Sequence, residues 1–140
     1  MTRIRVVALA LLRDGALGEE CLLVRKRGTE RFMLPGGKFE PGEDDRACLA
    51  RELDEEVGLA LPSSGTERLG RFAAAAANEP GHVVDATVYA WKPRTIPQPR
   101  LGAEIAETRW FAVRAGGPAA LPLAPLVADH ILPMLGQRSP

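Results

Sequence analysis

One segment of the chain, residues 37–59, constrains the fold more than any other part of the sequence. It reads GKFEPGEDDRACLARELDEEVGL and fits the spacing G-x5-E-x7-R-E-U-x-E-E-x-G-U, where U is a bulky aliphatic residue. Every fixed position is filled, so the match is far more specific than a short glycine motif. The fixed positions are Gly37, Glu43, Arg51, Glu52, Leu53, Glu55, Glu56, Gly58 and Leu59.

The middle of this segment is predicted to be a helix of roughly three turns. Asp44 is a suitable N-cap, and neither glycine nor proline interrupts residues 46–57. Gly58 then supplies the glycine that commonly ends a helix. Two turn signals, Pro35-Gly36-Gly37 and Pro41-Gly42, predict a loop ahead of the helix.

Three glutamates lie on one face of the predicted helix. At ~100° per residue, Glu55 and Glu56 fall within about 60° of Glu52, and the apolar residues fall on the opposite side. Carboxylates this close repel each other on a bare helix. A divalent cation such as Mg²⁺ relieves the repulsion, because it prefers oxygen ligands and often binds carboxylates together with substrate phosphates. Arg51 is expected to pair with Glu55, one turn later, or with Glu43.

This segment resembles the Nudix box, and the chain is similar to the Nudix hydrolase family, in particular its short MutT-like members. The alternative, a solvated acidic helix face, does not explain the Gly-Gly loop, the arginine and the terminal glycine at these spacings. The resemblance covers about residues 3–113 and implies an α/β/α sandwich with a mixed central sheet. It also implies metal-dependent hydrolysis, with Mg²⁺ or Mn²⁺, of a nucleoside diphosphate linked to another moiety. A homodimer is common among similar proteins.

The resemblance assigns roles to particular residues of the segment. Glu52, Glu55 and Glu56 would be metal ligands, and Glu52 would alternatively orient or deprotonate the attacking water. The backbone carbonyl of Gly36 would complete the metal shell, and Gly37 would be required for its backbone conformation and close approach to the metal. The catalytic set would also include Arg51, and the structural positions would be Gly37, Glu43 and Gly58.

Outside the box, two arginines and one glutamate are further site candidates. Arg25 and Arg27 end a predicted strand, where alternation places them on one face and Lys26 on the other. One or both arginines are expected to bind a substrate phosphate, and the alternative is a solvated strand end. Similar proteins carry an acidic residue just before a late strand, and Glu104 is favoured over Glu107 as that general base or metal ligand.

The identity of the substrate is less constrained. Phe32, Asn78, His82 and Trp91 are candidates for contact with a base or sugar, although core packing is the simpler interpretation for Trp91. In similar proteins, a proline beyond the box accompanies ADP-ribose activity and a tyrosine accompanies dinucleoside polyphosphate activity. Residues 74–77 contain neither, so a nucleoside triphosphate is the expected substrate. ADP-ribose or nucleotide-sugar hydrolysis, and a non-catalytic nucleotide-sensing module, are the alternatives.

Composition adds further limits. A length of 140 residues predicts one domain, 1–140, with a frayed tail at 137–140. Equal numbers of basic and acidic residues, 18 each, give no sign of binding to a nucleic-acid polymer. No signal peptide or long apolar run is present, so the expected location is the cytoplasm, without membrane attachment. Cys21 and Cys48 are expected to be reduced and at least partly buried.

The rest of the chain predicts strands around the box helix, with a second helix at the end. Residues 69–91 are expected to form two antiparallel strands joined by a turn at 78–81. A short acidic segment, 103–108, precedes another predicted strand. The remaining predicted elements are strands at 4–12, 21–25 and 109–113, and a proline-limited helix within 120–135.

Overall fold

The computed structural model describes residues 2–16, 18–114 and 121–138, and at its centre lies a mixed six-stranded β-sheet. Three strands precede the first helix and three follow it. The last part of the chain is a π-helical segment that continues directly into a short α-helix. The elements are β1 (Thr2–Gly15), β2 (Gly18–Lys26), β3 (Gly36–Lys38), α1 (Asp45–Val57), β4 (Thr66–Ala75), β5 (His82–Trp91), β6 (Ile105–Ala112), the π-helical segment (Leu126–Ile131) and α2 (Leu132–Gln137).

The sheet is built around β1, which pairs with three other strands. It runs parallel to β5 and antiparallel to both β2 and β3. The strand order is β4-β5-β1-β2-β6, with β3 paired to β1 off this path. Val6, Val7 and Ala8 pair with β3, whereas Leu12 and the residues after it pair with β2. This arrangement fixes the short Gly-Gly strand next to α1.

Alternating side chains of β1 belong to two separate cores, one on each face of the sheet. Val7, Leu9 and Leu11 are fully buried in the core that includes the apolar face of α1. Ala8, Ala10 and Leu12 belong to the core that includes the π-helical segment and α2. Because helices cover both faces of a mixed sheet, the predicted α/β/α sandwich is confirmed.

Helix α1 begins and ends as its sequence predicts. The Asp44 side chain accepts a hydrogen bond from the Ala47 N–H (2.8 Å), as an N-cap does. Gly58 lies in the left-handed region, with φ of 66°, and ends the helix. Leu53 is fully buried, and a leucine in that state stabilises a fold by about 1.5–3 kcal/mol. The apolar face thus anchors α1 and leaves its carboxylate face toward the site.

Several predicted boundaries shift. The first strand predicted within 69–91 forms as β4 and starts earlier, at Thr66, because pairing along β5 overrides the helical propensity of its alanines. Strand β6 begins at Ile105, so Glu107 lies in a strand and not in the acidic loop expected before it. Cys21 and Cys48 are free and buried, as expected.

The C-terminal helical segment starts inside the predicted range 120–135 and ends beyond it, at Gln137. Pro122 and Pro125 precede it, and the helical segment starts at Leu126; residues 115–120 lie outside the described part. The frayed tail expected from residue 137 does not begin there, because Gln137 still belongs to α2 and Arg138 donates a hydrogen bond to Glu67 (2.7 Å). Residues 139 and 140 lie outside the described part. None of the described helices is both long and apolar enough to cross a membrane.

Candidate active site

A cavity of about 850 Å³ lies at the end of the sheet where β3, α1, the β4–β5 turn and the loop before β6 approach each other. One part of its wall is charged and comes from the box, the end of β2, the segment after it, the β4–β5 turn and the loop before β6. The other part is apolar and comes from β1, the end of β4, β5 and the start of the π-helical segment. The charged lining residues are Lys26, Arg27, Lys38, Glu40, Arg51, Glu52, Glu55, Glu79 and Glu104.

Arg51 organises the carboxylates on the cavity side of α1. Its guanidinium donates two hydrogen bonds to Glu43 (2.7 and 2.9 Å), one to Glu52 (2.9 Å) and one to Glu55 (3.4 Å). The sequence left open whether Glu43 or Glu55 would be its partner, and the structure pairs Arg51 with both. Hydrogen bonding to Arg51 lowers the pKa of Glu43 to about 2. Glu43 therefore stays ionised and holds Arg51 in place, which fits the structural role expected of it.

Two of the box glutamates are withdrawn from solvent. The side chain of Glu52 is 14% exposed and that of Glu56 is 4% exposed, whereas Glu55 is 57% exposed. Burial raises the pKa of Glu56 to about 7, against the lowering effect of its hydrogen bond from the Gly36 N–H (3.0 Å). Burial also raises the pKa of Glu52, although Arg51 opposes this. The nearby charges of Glu52 and Glu104 add to the rise at Glu56.

Gly36 and Gly37, the two glycines of β3, lie in close contact with neighbouring groups. A Cβ atom at Gly37 would lie 2.5 Å from the carboxylate carbon of Glu52. A Cβ atom at Gly36 would collide with the backbone of Val7 and Ala8 in β1, and its φ of 151° is one that other residues rarely adopt. Glycine at both positions lets β3 lie against β1 while the carboxylate of Glu52 lies against Gly37.

The loop before β6 is fastened to the end of α1. The Arg100 and Gly102 N–H groups donate to the carbonyls of Val57 (2.7 Å) and Glu56 (2.9 Å), which would otherwise lack partners at the helix end. A Cβ atom at Gly102 would overlap the carbonyl oxygen of Glu55, so only glycine permits this approach. The loop thereby brings Glu104 to the cavity beside the glutamates of α1.

Arg27 belongs to the same assembly. Its backbone N–H donates to the Glu104 carbonyl (2.8 Å), and its Nε donates to the Ala103 carbonyl (2.8 Å). It lines the cavity, in keeping with the predicted position near substrate phosphates. Glu104 lines the cavity too, whereas Glu107 accepts hydrogen bonds from Arg25 (2.9 Å) and Arg109 (3.2 Å). The preference for Glu104 over Glu107 agrees with these positions.

The placement predicted for Arg25 is wrong. Arg25 and Arg27 were expected on one strand face, but the pairing of β2 with β6 shifts register between Arg25 and Lys26, and β2 ends at Lys26. Arg25 does not line the cavity, and its side chain bonds to Glu107 and to the Thr29 carbonyl. Lys26 lines it instead, with its Nζ 4.0 Å from an oxygen of Glu56.

Of the four residues considered for contact with a base or sugar, only Asn78 lines the cavity. Phe32 is 3% exposed in the core and Trp91 packs in the core on the α1 side, and neither lines the cavity. His82 bonds within its own turn, to the Pro80 carbonyl. Asn78 does line the cavity, at the edge of the apolar wall, with its Nδ2 4.0 Å from the sulfur of Met33.

The donor chemistry at the charged end fits a hard divalent cation. Glu52, Glu55 and Glu56 offer carboxylate oxygens. Burial is the main cause of the raised pKa of Glu56, and the repulsion from Glu52 and Glu104 that adds to it is what a cation would relieve. Within residues 2–16, 18–114 and 121–138, however, no three acidic, histidine or cysteine side chains already converge to enclose an ion. Arg51 Nη1 bonds one oxygen of Glu52 and one of Glu55, so the second oxygen of each carboxylate is the one that would be offered to an ion. The ligand roles of the three glutamates and of the Gly36 carbonyl stay predictions.

The residues of this site that were not predicted from the sequence include Lys26, Lys38, Glu40, Glu79 and Gly102. Lys38 directly follows Gly37, so its position close to the site could have been predicted from the sequence. Lys26 was assigned to the opposite face because a β-bulge leaves no reliable sequence signal. Glu79 and Gly102 reach the site through contacts between distant parts of the chain, which local patterns do not reveal.

Comparison with known proteins gives consistent results. A family model described as NUDIX domain matches residues 1–133. A Mycobacterium tuberculosis protein named "Putative 8-oxo-dGTP diphosphatase 2" is 66% identical over 29 residues, a match that spans only 21% of each chain. The structure of a MutT NUDIX hydrolase from Burkholderia pseudomallei is 25% identical, covers 100% of both chains and superposes with a TM-score of 0.71. A MutT/nudix family protein from Enterococcus faecalis is 23% identical with a TM-score of 0.66 over 79% of this chain and 44% of that one, and shares the fold.

Proposed function

The chain belongs to the Nudix family, and from this membership and the geometry of the cavity we propose that it is a divalent-metal-dependent pyrophosphohydrolase of nucleoside triphosphates. The single observation that carries the proposal is the grouping at one end of the cavity. Glu52, whose side chain is largely withdrawn from solvent, lies in the cavity wall with the cationic side chains of Lys26, Arg27 and Arg51, and the buried carboxylate of Glu56 lies behind them, 4.0 Å from Lys26 Nζ. Anionic phosphates and a divalent cation complement such a mixture of charges.

In this proposal Glu52, Glu55 and Glu56 would hold the cation, Mg²⁺ or Mn²⁺, and the Gly36 carbonyl would be a further ligand. When bound, such a cation polarises a phosphoryl oxygen and activates a water molecule. Arg27 and Lys26 bind phosphate oxygens, and Arg51 keeps the carboxylates oriented. A carboxylate oxygen of Glu104 accepts the proton of the attacking water, or one of Glu52 does so where Glu52 serves as base in place of its ligand role. The oxygen of this water forms a bond to one phosphorus of the triphosphate, and the bond from that phosphorus to a bridging oxygen breaks. The bridging oxygen leaves with the other phosphate group, and the products are a nucleoside monophosphate and pyrophosphate.

The nucleoside would lie along the apolar wall of the cavity. Val6, Ala75, Val84 and Leu126 contribute to this wall, and Asn78 offers one amide at its edge. Apolar walls with a few placed polar groups are typical of small-molecule sites. The name of the M. tuberculosis relative supports the inclusion of oxidised purine nucleotides among the substrates tested.

A substrate screen tests this proposal. The protein is offered canonical and oxidised nucleoside triphosphates, ADP-ribose, nucleotide sugars and dinucleoside polyphosphates, with Mg²⁺ and with chelator, and the products are separated by ion exchange. Magnesium-dependent cleavage of triphosphates, absent in Glu56→Gln, is the expected result. Cleavage confined to ADP-ribose or sugar nucleotides would replace the proposed substrate class. Nucleotide binding without any turnover would instead establish a non-catalytic sensor.

A further inference from the structure

An ion pair crosses the mouth of the cavity. Lys38 Nζ, at the end of β3, lies 3.4 Å from Glu79 Oε1, in the turn between β4 and β5. Both residues line the cavity, and their side chains are 63% and 43% exposed. The pair therefore joins the charged end of the cavity to the turn that also carries Asn78.

The two partners are held differently. The Lys38 backbone is fixed beside the carboxylates, since its carbonyl accepts a hydrogen bond from Arg51 Nη2 (3.0 Å). Its side chain is long and flexible, so the ammonium can reach other positions from this fixed base. The Glu79 carbonyl accepts a hydrogen bond from the His82 N–H (3.1 Å), which closes the turn and holds Glu79 on the opposite side.

Among the basic side chains that line the cavity, Lys38 is the one that pairs with a carboxylate of the β4–β5 turn. Arg51 is occupied by the box glutamates, and the Nε of Arg27 donates to a backbone carbonyl. Lys26 faces Glu56. Within the described residues, Glu79 is the acidic partner of Lys38, and it lies outside the group of carboxylates on α1.

We propose that Glu79 is an autoinhibitory competitor for Lys38, which exchanges this carboxylate for a phosphate oxygen when a polyphosphate enters the cavity. The inference rests on the proposed function, because it requires an anionic substrate at the charged end. A polyphosphate carries several negative charges and attracts the ammonium more strongly than one exposed carboxylate does. Glu79 thus sets the affinity for substrate through Lys38 and takes no part in the chemistry.

A double-mutant cycle tests this exchange. Dissociation constants for a non-hydrolysable nucleoside triphosphate and for inorganic tripolyphosphate, each with Mg²⁺, are measured by calorimetry for wild type, Glu79→Gln, Lys38→Met and the double variant. Glu79→Gln is expected to bind about two- to fivefold tighter, the range set by an exposed ion pair, and the gain should shrink at high salt. Lys38→Met should bind more weakly, and adding Glu79→Gln to it should change nothing further.

A charge-matched control distinguishes this exchange from the general electrostatic effect of removing one negative charge from the protein. Asp129→Asn removes one exposed negative charge outside the cavity and should leave both dissociation constants unchanged. An equal gain from Glu79→Gln with and without Lys38, or no gain at all, would overturn the proposal even if the protein hydrolyses nucleotides. Failure of folded wild-type protein to bind either ligand would overturn the proposed function along with it.

Discussion

At Glu56 a carboxylate is enclosed among groups of mixed charge. It accepts a hydrogen bond from the Gly36 N–H and faces Lys26, yet burial dominates and raises its pKa to about 7, from an ordinary value of 4.5. The folded protein therefore holds this proton at pH values where the unfolded chain has lost it. Between about pH 4.5 and pH 7 the metal-free fold should lose stability as the pH rises.

This pH dependence can be measured by urea unfolding in chelator at pH 5 and pH 8. The unfolding free energy of the wild type should fall between pH 5 and pH 8. This fall should exceed that of Glu56→Gln, whose side chain cannot ionise, by on the order of 1–3 kcal/mol. Mg²⁺ should recover stability at pH 8 and much less at pH 5, because the ion binds the deprotonated carboxylate. If the unfolding free energies of the two proteins changed in parallel with pH, the raised pKa assigned to Glu56 would be refuted.

Arg51 makes a second prediction at the residue scale. Its planar guanidinium bonds Glu43 through two nitrogens while also reaching Glu52 and Glu55. A lysine carries a single ammonium and cannot match this fork. Arg51→Lys should therefore lower turnover by at least about tenfold, since the carboxylates lose their common anchor.

The control for Arg51 lies on the same helix. Arg46 donates hydrogen bonds to Thr66 Oγ1 (3.2 Å) and to the Pro62 carbonyl, outside the main cavity. Arg46→Lys makes the same chemical change and should leave kcat within about twofold of wild type. Equal activity of both variants in a steady-state assay would show that Arg51 does not orient the site.

At the scale of elements, α1 was predictable and the loop docked on it was not. The N-cap Asp44, the uninterrupted helix and the terminal Gly58 are local signals, and each acts in the structure as expected. The approach of Gly102 to the carbonyls of α1 depends on residues far apart in sequence. The end of β2 was misjudged for a related reason, because pairing with β6, and not the local pattern, sets the bulge that turns Lys26 to the cavity.

Gly102 provides the prediction that belongs to this scale. A methyl group there would overlap the Glu55 carbonyl and push the loop that carries Glu104 away from α1. Gly102→Ala should destabilise the protein by about 1–3 kcal/mol and lower kcat at temperatures well below its melting point. Gly136→Ala is the matched control, since a Cβ at Gly136 meets nothing within 4 Å. A Gly102→Ala enzyme with wild-type kcat would show that the loop does not position the site.

At the scale of the whole molecule, the cavity is assembled from segments that are distant in sequence. The box supplies carboxylates, the end of β2 supplies cations, and the apolar wall requires β1, β4, β5 and the π-helical segment together. The family and the α/β/α architecture follow from the box and the strand patterns. The shape of the apolar wall does not, because it depends on how the C-terminal segment packs across the sheet, and three prolines obscure where that segment begins.

The central claim is that the carboxylate face of α1 binds a divalent cation and performs hydrolysis there. The most direct measurement is turnover of the preferred nucleoside triphosphate as a function of Mg²⁺ concentration for wild type, Glu55→Gln, Glu56→Gln and Asp54→Asn. Asp54 lies on the same helix, is exposed and lies outside the cavity lining, so its variant controls for loss of charge. Wild type and Asp54→Asn should show saturable dependence on Mg²⁺, and both glutamine variants should lose at least about 100-fold in kcat. Near-wild-type turnover in both glutamine variants would contradict this assignment.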